Sequence, residues 1–313
     1  MNIIINNSGV VNLNFNFENE KTIKKCEKNK KENFKFLQVL NASLLEREKL
    51  NQAESLEKCG NYLRFHSFLN KENTKKLIGA NFCKNPLCPV CAWRKHIINQ
   101  KAIHNIIKNS KKYIYHLVLA VPNTKELTKE NLRALKKNAV AFLKDESGLS
   151  TNNYIMSLEI CYNKKTGFHP HLHIILELDR FVKVDRHYIK EMAKLWRYYN
   201  ENFDFWKESE NGYTFYITGV KNPLEASEEL TKYILKPDSF DDVTINIINQ
   251  LSDSVFNTRL ISSGGTLKEK LKKEKENVKN DNKKEKDLLY DNFPFIDIIC
   301  KWINNKYEIE LNL

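Results

Sequence analysis

Three histidines alternate with aliphatic residues in one short segment of the chain. His169, His171 and His173 fall on one side of a period-2 pattern, and Leu172 and Ile174 fall on the other. This alternation predicts a β-strand with one face in a core, and it spaces the imidazoles about 7 Å apart along the opposite face. Two imidazoles placed in this way can bind one metal ion.

A carboxylate is expected opposite these histidines. Residues 154–162 are rich in β-forming residues, and a five-residue turn ending in glycine separates them from the histidine segment. If Tyr162 pairs with Phe168, Glu159 lies opposite His171, with the two Cβ atoms about 4.5–5.5 Å apart. A slip of one residue would turn Glu159 to the other face of the sheet.

Imidazole and carboxylate together form a donor set that suits a divalent metal. A single strand histidine is more often a surface or core residue, but three alternating ones facing a carboxylate, in a chain with eight histidines, favour a metal site. We predict His171, His173 and Glu159 as ligands. His169 precedes Pro170 at the entrance of the strand, and we interpret it as a spare ligand or a donor to phosphate.

Four cysteines have the spacing of a second, structural metal site. Cys83, Cys88 and Cys91 follow a Cys-x4-Cys-x2-Cys pattern with prolines in its turns, and Cys59, which precedes a glycine, is the natural fourth thiolate. Such a set predicts tetrahedral zinc. The alternative is a group of buried free thiols, which fits poorly with turns this polar.

A segment bounded by Pro223 and Pro237 has the pattern of a short helix. Glu229, Tyr233 and Lys236 stand at i, i+4 and i+7 and share one face. An acid, a phenol and an ammonium on one face can perform nucleophilic chemistry, in which the tyrosine attacks, the lysine stabilises charge and the glutamate handles a proton. Taken without the histidine strand, the same triplet would indicate only salt bridges on an exposed helix.

The elements around these residues follow the order β-α-β-β-α-β. Five successive patterns carry the prediction: a strand at 113–121, a helix at 124–144, the hairpin at 154–176, a helix at 185–199 and a strand at 212–220. This order is that of the ferredoxin-like split pattern. We therefore predict an α+β fold in which helices cover one face of an antiparallel sheet and the histidine strand is central.

Changes in composition divide the chain into five parts. We expect a poorly ordered polar arm over residues 1–50, with a short helix starting near residue 41, and a zinc subdomain over 51–110. The catalytic domain is expected over 111–265. A charged linker or solvated helix follows over 266–287, and an aromatic-rich appendage over 288–313 packs back on the rest.

The overall charge predicts a polyanionic partner. Lys and Arg number 51 against 39 Asp and Glu, which gives a formal net charge of +12 and a pI near 9.1. The chain has no apolar run of about 20 residues and no secretory signal at its start, so we expect a cytoplasmic protein without membrane contacts. In that compartment, seven cysteines favour metal ligands or free thiols over disulfides.

The chain resembles the rolling-circle replication initiators of small bacterial plasmids, which belong to the HUH endonuclease superfamily. The resemblance rests on three motifs in this order: the cysteine cluster, the His-Pro-His-Leu-His strand and the Glu229-Leu-Thr-Lys-Tyr233 segment. The resemblance covers residues 59–265. It implies that His171 and His173 hold a divalent metal, Mg²⁺ or Mn²⁺. It also implies that Tyr233, which forms a Tyr-x-x-Lys motif with Lys236, attacks DNA.

The resemblance further implies that Glu229 assists the terminating cleavage. Attack by the tyrosine would give a 5′-phosphotyrosine and a free 3′-hydroxyl that a polymerase extends. The expected partners are plasmid origin DNA, single-stranded or extruded as a hairpin, with a host helicase and DNA polymerase, and the oligomeric state, a dimer included, stays open. Family members usually carry threonines just before a Pro-Asn pair. In this chain the corresponding residues, 117–121, have no hydroxyl group, so a role for a hydroxyl group at these positions is in doubt.

Basic residues near these motifs are candidates for contacts with the DNA backbone. Arg94 and Lys95 follow the cysteine cluster, Lys232 precedes the tyrosine, and Arg259 lies in a basic loop. A solvated helix face is the plainer interpretation of the first two.

Other functions compatible with these motifs are a relaxase or a single-tyrosine transposase with the same chemistry. A zinc-containing DNA-binding repressor with an inactive site and a metal-dependent hydrolase of small phosphoesters come from different classes. A covalent protein–DNA adduct separates the first group from the latter two.

Overall fold

The computed structural model of the chain describes residues 3–5, 11–13, 21–70, 74–200, 212–231 and 243–312. Its N-terminal elements are β1 (Ile3–Ile5), β2 (Val11–Leu13), α1 (Lys21–Glu32), α2 (Phe34–Glu46), α3 (Leu50–Glu57), β3 (Tyr62–Phe68), β4 (Lys75–Ala80) and α4 (Pro89–Asn109). The central elements are β5 (Tyr113–Ala120), α5 (Lys129–Lys144), β6 (Tyr154–Asn163), β7 (Gly167–Leu178), α6 (Arg186–Tyr198), β8 (Thr214–Gly219) and α7 (Pro223–Thr231). The C-terminal elements are α8 (Ile245–Val255), β9 (Ile261–Gly264), α9 (Gly265–Asn292), β10 (Phe295–Ile303) and β11 (Lys306–Asn312).

A five-stranded antiparallel sheet contains the histidine strand. Its strand order is β8-β5-β7-β6-β9, and β5-α5-β6-β7-α6-β8 follows the predicted β-α-β-β-α-β order. The α+β class and the antiparallel sheet are therefore confirmed. The histidine strand, β7, lies at the centre between β5 and β6, and β9 adds a strand beyond β6.

The two crossover helices pack on one face of this sheet. Leu117, Leu172 and Ile174 alternate with the opposite-facing residues and are fully buried in the core that α5 and α6 complete. The indole of Trp196 on α6 donates to the carbonyl of Ala120 at 2.7 Å, and its ring contacts Phe142 of α5 edge-on. This side of the sheet is thus a conventional apolar core.

A second helical layer, which the sequence did not predict, lies on the opposite face. Ile155 of β6 and Ile175 of β7 are fully buried there against Ile103 of α4, Leu230 of α7 and Leu267 of α9. Because side chains alternate along a strand, Ile175 shares its face with His173 and His171. The histidines therefore point into the layer built by α4, α7 and α9.

The N-terminal prediction of a poorly ordered arm is wrong for residues 21–50. Helices α1 and α2 bury Cys26 and Leu40 completely, because their apolar residues recur at helical spacing among the lysines and asparagines. The single helix expected near residue 41 is instead α2 followed by α3. Of residues 1–20, only the backbone of β1 and β2 is described.

The C-terminal segments also belong to larger structures. A second antiparallel sheet has the order β11-β10-β3-β4, so the predicted appendage pairs with strands close to Cys59. The charged segment forms part of the 28-residue helix α9, which buries Leu267, Leu271 and Val278. The domain boundaries themselves stay a prediction. Within the described residues, no helix is long and apolar enough to cross a membrane.

Candidate metal centres and nucleophile helix

The β6–β7 hairpin has the predicted register. Tyr162 pairs with Phe168, and Glu159 pairs with His171. Gly167 begins β7 with a φ of +88°, and a Cβ at this position would lie 2.2 Å from the carbonyl oxygen of Thr124. Only glycine allows this close approach, through which Phe168 and Thr124 exchange backbone hydrogen bonds of 2.7 and 2.9 Å.

The hairpin brings two imidazoles and one carboxylate together in a buried group. Oε2 of Glu159 lies 2.9 Å from Nε2 of His173 and 3.2 Å from Nε2 of His171. The exposed fraction is 2 % for Glu159 and 9 % for each histidine. Ligands bound to one ion at about 2.0–2.1 Å lie roughly 3.0–3.4 Å apart. The three side chains can therefore hold a metal ion with little movement.

The outer nitrogen of each histidine already has a partner. Nδ1–H of His171 donates to the carbonyl of His169 at 3.3 Å, and Nδ1 of His173 lies 3.1 Å from Nε2 of His116 on β5. Ligand histidines typically have their second nitrogen held in this way, which directs Nε2 towards the metal. His116 was missed in the sequence, although its position in the antiparallel partner strand and the period of two would have placed it on this face.

His169 does not belong to the metal-binding group. Its Nδ1 lies 2.7 Å from the side-chain oxygen of Asn123, in the loop that follows β5. Burial, and then repulsion from His171, lower the pKa of His169. The second carboxylate oxygen of Glu159 accepts a hydrogen bond from the thiol of Cys161 at 3.8 Å, so this cysteine lies next to the metal-binding group.

Strand β5 places no hydroxyl group against the two ligand histidines. Val118 is the register partner of His173, and Ala120 is the partner of His171. These two side chains are apolar, so neither can supply the hydroxyl group that family members usually have here.

Helix α7 lies over the same face of the sheet. Its buried residues Ala226 and Leu230 pack on Ile155 and Ile175, and Glu229 is half-buried beside them. Nδ1–H of His96 on α4 donates to the carbonyl of Thr231 at 2.6 Å and so holds the last residue of the helix. Lys232, Tyr233 and Lys236 lie outside the described residues.

The four predicted cysteines converge at the start of α4. The Sγ atoms of Cys59–Cys88, Cys59–Cys91 and Cys83–Cys91 are each 3.6 Å apart. Tetrahedral zinc with Zn–S bonds of about 2.3 Å requires S···S separations of roughly 3.8 Å, so the group fits the ion. Backbone amides of Cys83 and Lys84 donate to two of the sulfurs at 3.4 and 3.2 Å. Donation from the three other thiols lowers the pKa of Cys91 and favours its thiolate.

The remaining basic candidates lie at the surface near this cluster. Arg94 and Lys95 are exposed on α4, and the guanidinium of Arg94 stacks 3.8 Å above the ring of Phe82. Arg259 is exposed in the loop between α8 and β9.

The protein is therefore an antiparallel α+β protein with two candidate metal centres. One is the buried His-His-Glu group under helix α7, and the other is the four-cysteine cluster. The family model Rep_1, described as replication protein, matches residues 74–306, so the chain belongs to this family of replication proteins. Curated relatives named "Protein rep" support the assignment. The relative from Staphylococcus aureus is 33 % identical over 157 residues, which covers 47 % of this chain and 68 % of the relative.

Two further relatives cover more of the chain. "Protein rep" of Lactiplantibacillus plantarum is 30 % identical over 245 residues, or 70 % of this chain and 73 % of the relative. "Protein rep" of Streptococcus pneumoniae is 26 % identical over 233 residues, or 69 % and 70 %. No solved structure gives a significant match. The resemblance to plasmid rolling-circle replication initiators is confirmed.

Proposed function

We propose that the chain initiates plasmid replication as a nicking and rejoining endonuclease. In this proposal Tyr233 is the nucleophile of a transesterification at one phosphate of the plasmid origin. The phenol loses its proton and its oxygen attacks phosphorus, the bond from phosphorus to the 3′-oxygen breaks, and the leaving 3′-oxygen takes up a proton, so the step consumes and releases one proton. The products are a 5′-phosphotyrosine and a 3′-hydroxyl primer, and the covalent link conserves the phosphodiester for rejoining.

The observation that carries this proposal is the orientation of the buried His171–His173–Glu159 group. Both Nε2 atoms meet one carboxylate oxygen within 3.2 Å, while both Nδ1 atoms are engaged elsewhere. Mg²⁺ or Mn²⁺ is the proposed ion, and when bound it supplies polarisation and orientation of a non-bridging phosphate oxygen. A phenol with an ordinary pKa of about 10 needs such help, and Lys236 is proposed to stabilise the phenolate.

The position of α7 supports the choice of nucleophile. This helix lies on the histidine face, and Tyr233 follows its last described residue, Thr231, by two positions. Glu229 on the same helix is half-buried, and we propose that it accepts a proton from water or a second hydroxyl group in the terminating step.

We propose a structural role for zinc in this arrangement. Cys88 and Cys91 begin α4, the same helix places His96 against the carbonyl of Thr231, and Gln100 donates to Glu228 at 3.0 Å. The zinc cluster would therefore fix the helix that holds the end of α7. Zinc at four thiolates contributes folding free energy and needs no open coordination position.

The substrate in this proposal is origin DNA that is single-stranded or extruded as a hairpin, with a host helicase and a DNA polymerase acting next. The formal charge of +12 suits a polyanion, and we propose Arg94, Lys95, Lys232 and Arg259 as contacts to the DNA backbone.

The test is nicking of a supercoiled plasmid that carries the cognate origin. Wild type is compared with Tyr233→Phe and with Tyr198→Phe, a control at an exposed tyrosine of α6, with Mn²⁺ and with chelator. We expect open circles and a denaturation-resistant adduct from wild type and the control with Mn²⁺, and neither product from Tyr233→Phe. Nicking by Tyr233→Phe at the wild-type rate would exclude this nucleophile, and origin binding without nicking by any variant would favour a repressor.

A further inference from the structure

A cleft of about 690 Å³ extends from the zinc cluster to the edge of the histidine face. We name it the α4–α9 cleft, because residues of both helices line it. Its cationic and aromatic lining residues come from four segments of the chain: Phe82, Lys84, Arg94, Lys95, Arg259 and Lys275. None of the described lining residues is acidic.

No carboxylate of the described residues pairs with these cations, although Cys91 of the cysteine cluster also lines the cleft and its thiolate attracts Arg94. Within the described part of the chain, Lys84, Arg94, Lys95, Arg259 and Lys275 form no salt bridge, although other lysines do, such as Lys76 with Glu285 and Lys112 with Asp179. Like charges brought together without a carboxylate repel each other, and a bound polyanion would relieve the repulsion. Burial, followed by repulsion from Lys95 and Lys279, lowers the pKa of Lys275.

The inner end of the cleft adjoins the candidate catalytic group. Ser157, which lines it, is the register partner of His173 and lies two residues before Glu159 on the same strand face. Thr231, which also lines it, is the last described residue of α7. A DNA strand that follows the cleft inwards would therefore arrive between the metal ligands and the end of α7.

We propose that the α4–α9 cleft binds the sugar–phosphate backbone of single-stranded DNA beside the nick site. The proposal deepens the proposed function and rests on it for the choice of DNA as the polyanion. The volume lies in the range of about 300–1,000 Å³ typical of sites for one small molecule, which suits a short single-stranded segment. A basic groove with an aromatic ring and stacked arginine is also the usual composition of sites for single strands.

The experiment measures binding of a fluorescein-labelled 20-nucleotide oligothymidine by anisotropy, without added divalent ion, between 50 and 200 mM NaCl. The test variant is Lys95→Gln with Lys275→Gln. The matched control is Lys101→Gln with Lys273→Gln, which removes one exposed charge from each of the same helices outside the cleft. We expect the test variant to bind roughly tenfold more weakly, with a salt slope shallower by about 1.4, and the control to stay within about twofold of wild type.

Equal affinity and equal salt slope in the two double variants would overturn the proposal, as would a loss seen only with duplex DNA. Adduct formation by wild type on origin DNA is measured in parallel. If wild type forms the adduct while the test variant binds oligothymidine normally, the cleft is excluded and the nicking function stands. If wild type forms no adduct but the test variant loses oligothymidine binding, the nicking function fails and the cleft stands.

Discussion

Nε2 of His116 lies 3.1 Å from Nδ1 of His173, and the two imidazole rings are stacked with an interplanar angle of 13°. For Nε2 of His173 to offer its lone pair to a metal, the proton must be on Nδ1 and must be donated to His116. His116 therefore determines which nitrogen of His173 carries the proton, although His116 is not itself in the metal-binding group.

Replacing His116 by alanine is expected to weaken Mn²⁺ binding by about 10–100-fold, because His173 would lose the group that holds its ring and its tautomer. His116→Gln keeps an acceptor and should recover part of the affinity. Titration calorimetry with Mn²⁺ measures the effect on the protein alone. His187→Ala, at an exposed histidine of α6, is the control, and an equal affinity in both alanine variants would contradict the role.

Glu159→Gln should reduce Mn²⁺ affinity by at least about 100-fold, because an amide replaces the only carboxylate among the described residues that faces both ligand histidines. Cys161→Ser changes the hydrogen-bond donor to the other carboxylate oxygen of Glu159, Oε1. It should leave the Mn²⁺ affinity within about threefold of wild type. Electron paramagnetic resonance of free Mn²⁺ gives both values. A larger loss in Cys161→Ser than in Glu159→Gln would reverse the assignment.

Cys88→Ser should release close to one equivalent of zinc and lower the melting temperature. If only about 3 kcal/mol of the zinc-binding free energy supports the fold, the melting temperature falls by roughly 5 °C. Elemental analysis and calorimetry measure the two effects, and Cys161→Ser serves again as the control. Wild-type zinc content in Cys88→Ser would show that the cluster does not need this ligand.

His96→Ala is expected to slow adduct formation by roughly 10–100-fold at saturating DNA, because the end of α7, two residues before the proposed nucleophile Tyr233, loses its 2.6 Å hydrogen bond. The Mn²⁺ affinity should not change, which separates a positioning role from general damage to the metal site. His96→Asn retains a donor and should recover part of the rate. An unchanged rate in His96→Ala would mean that α7 is held by its packing alone.

The pairing of Arg64 with Asp297 predicts a pH-dependent contribution to stability. Three hydrogen bonds of 2.6–3.0 Å from the guanidinium lower the pKa of Asp297 below its ordinary value. The contribution is therefore complete above the unfolded-state pKa of about 3.9 and is lost as the pH falls through the folded-state pKa. Asp297→Asn should melt below wild type at pH 7 and together with it in strong acid. A constant difference at all pH values would contradict this explanation.

The local chemistry was predictable from the sequence where short periodic patterns decided it. The register of Glu159 opposite His171 followed from a five-residue turn and a period of two, and the fourth cysteine followed from its neighbouring glycine. These features depend on residues close in sequence, for which geometry leaves few alternatives.

The layer over the histidines could not be predicted in the same way. Helix α9 has only a few widely spaced apolar residues, such as Leu267 and Leu271, among many lysines and glutamates, so its composition resembles a solvated linker. Leu267 of this helix lies in the same buried cluster as Ile175, which is 92 residues earlier in the chain. Such contacts depend on how distant elements pack, which a pattern read along the chain does not contain.

The C-terminal strands have a consequence for how the protein is made. Strand β10 pairs with β3, the backbone amide of Trp302 donates to Asn61, and the hydroxyl of Tyr307 donates to the carbonyl of Gly60, next to Cys59. The sheet beside the zinc cluster therefore cannot close until residues 295–312 have left the ribosome. A chain that stops before residue 295 would carry every candidate catalytic residue on an unfinished scaffold, so residues 295–312 are expected to be required for the proposed nicking activity.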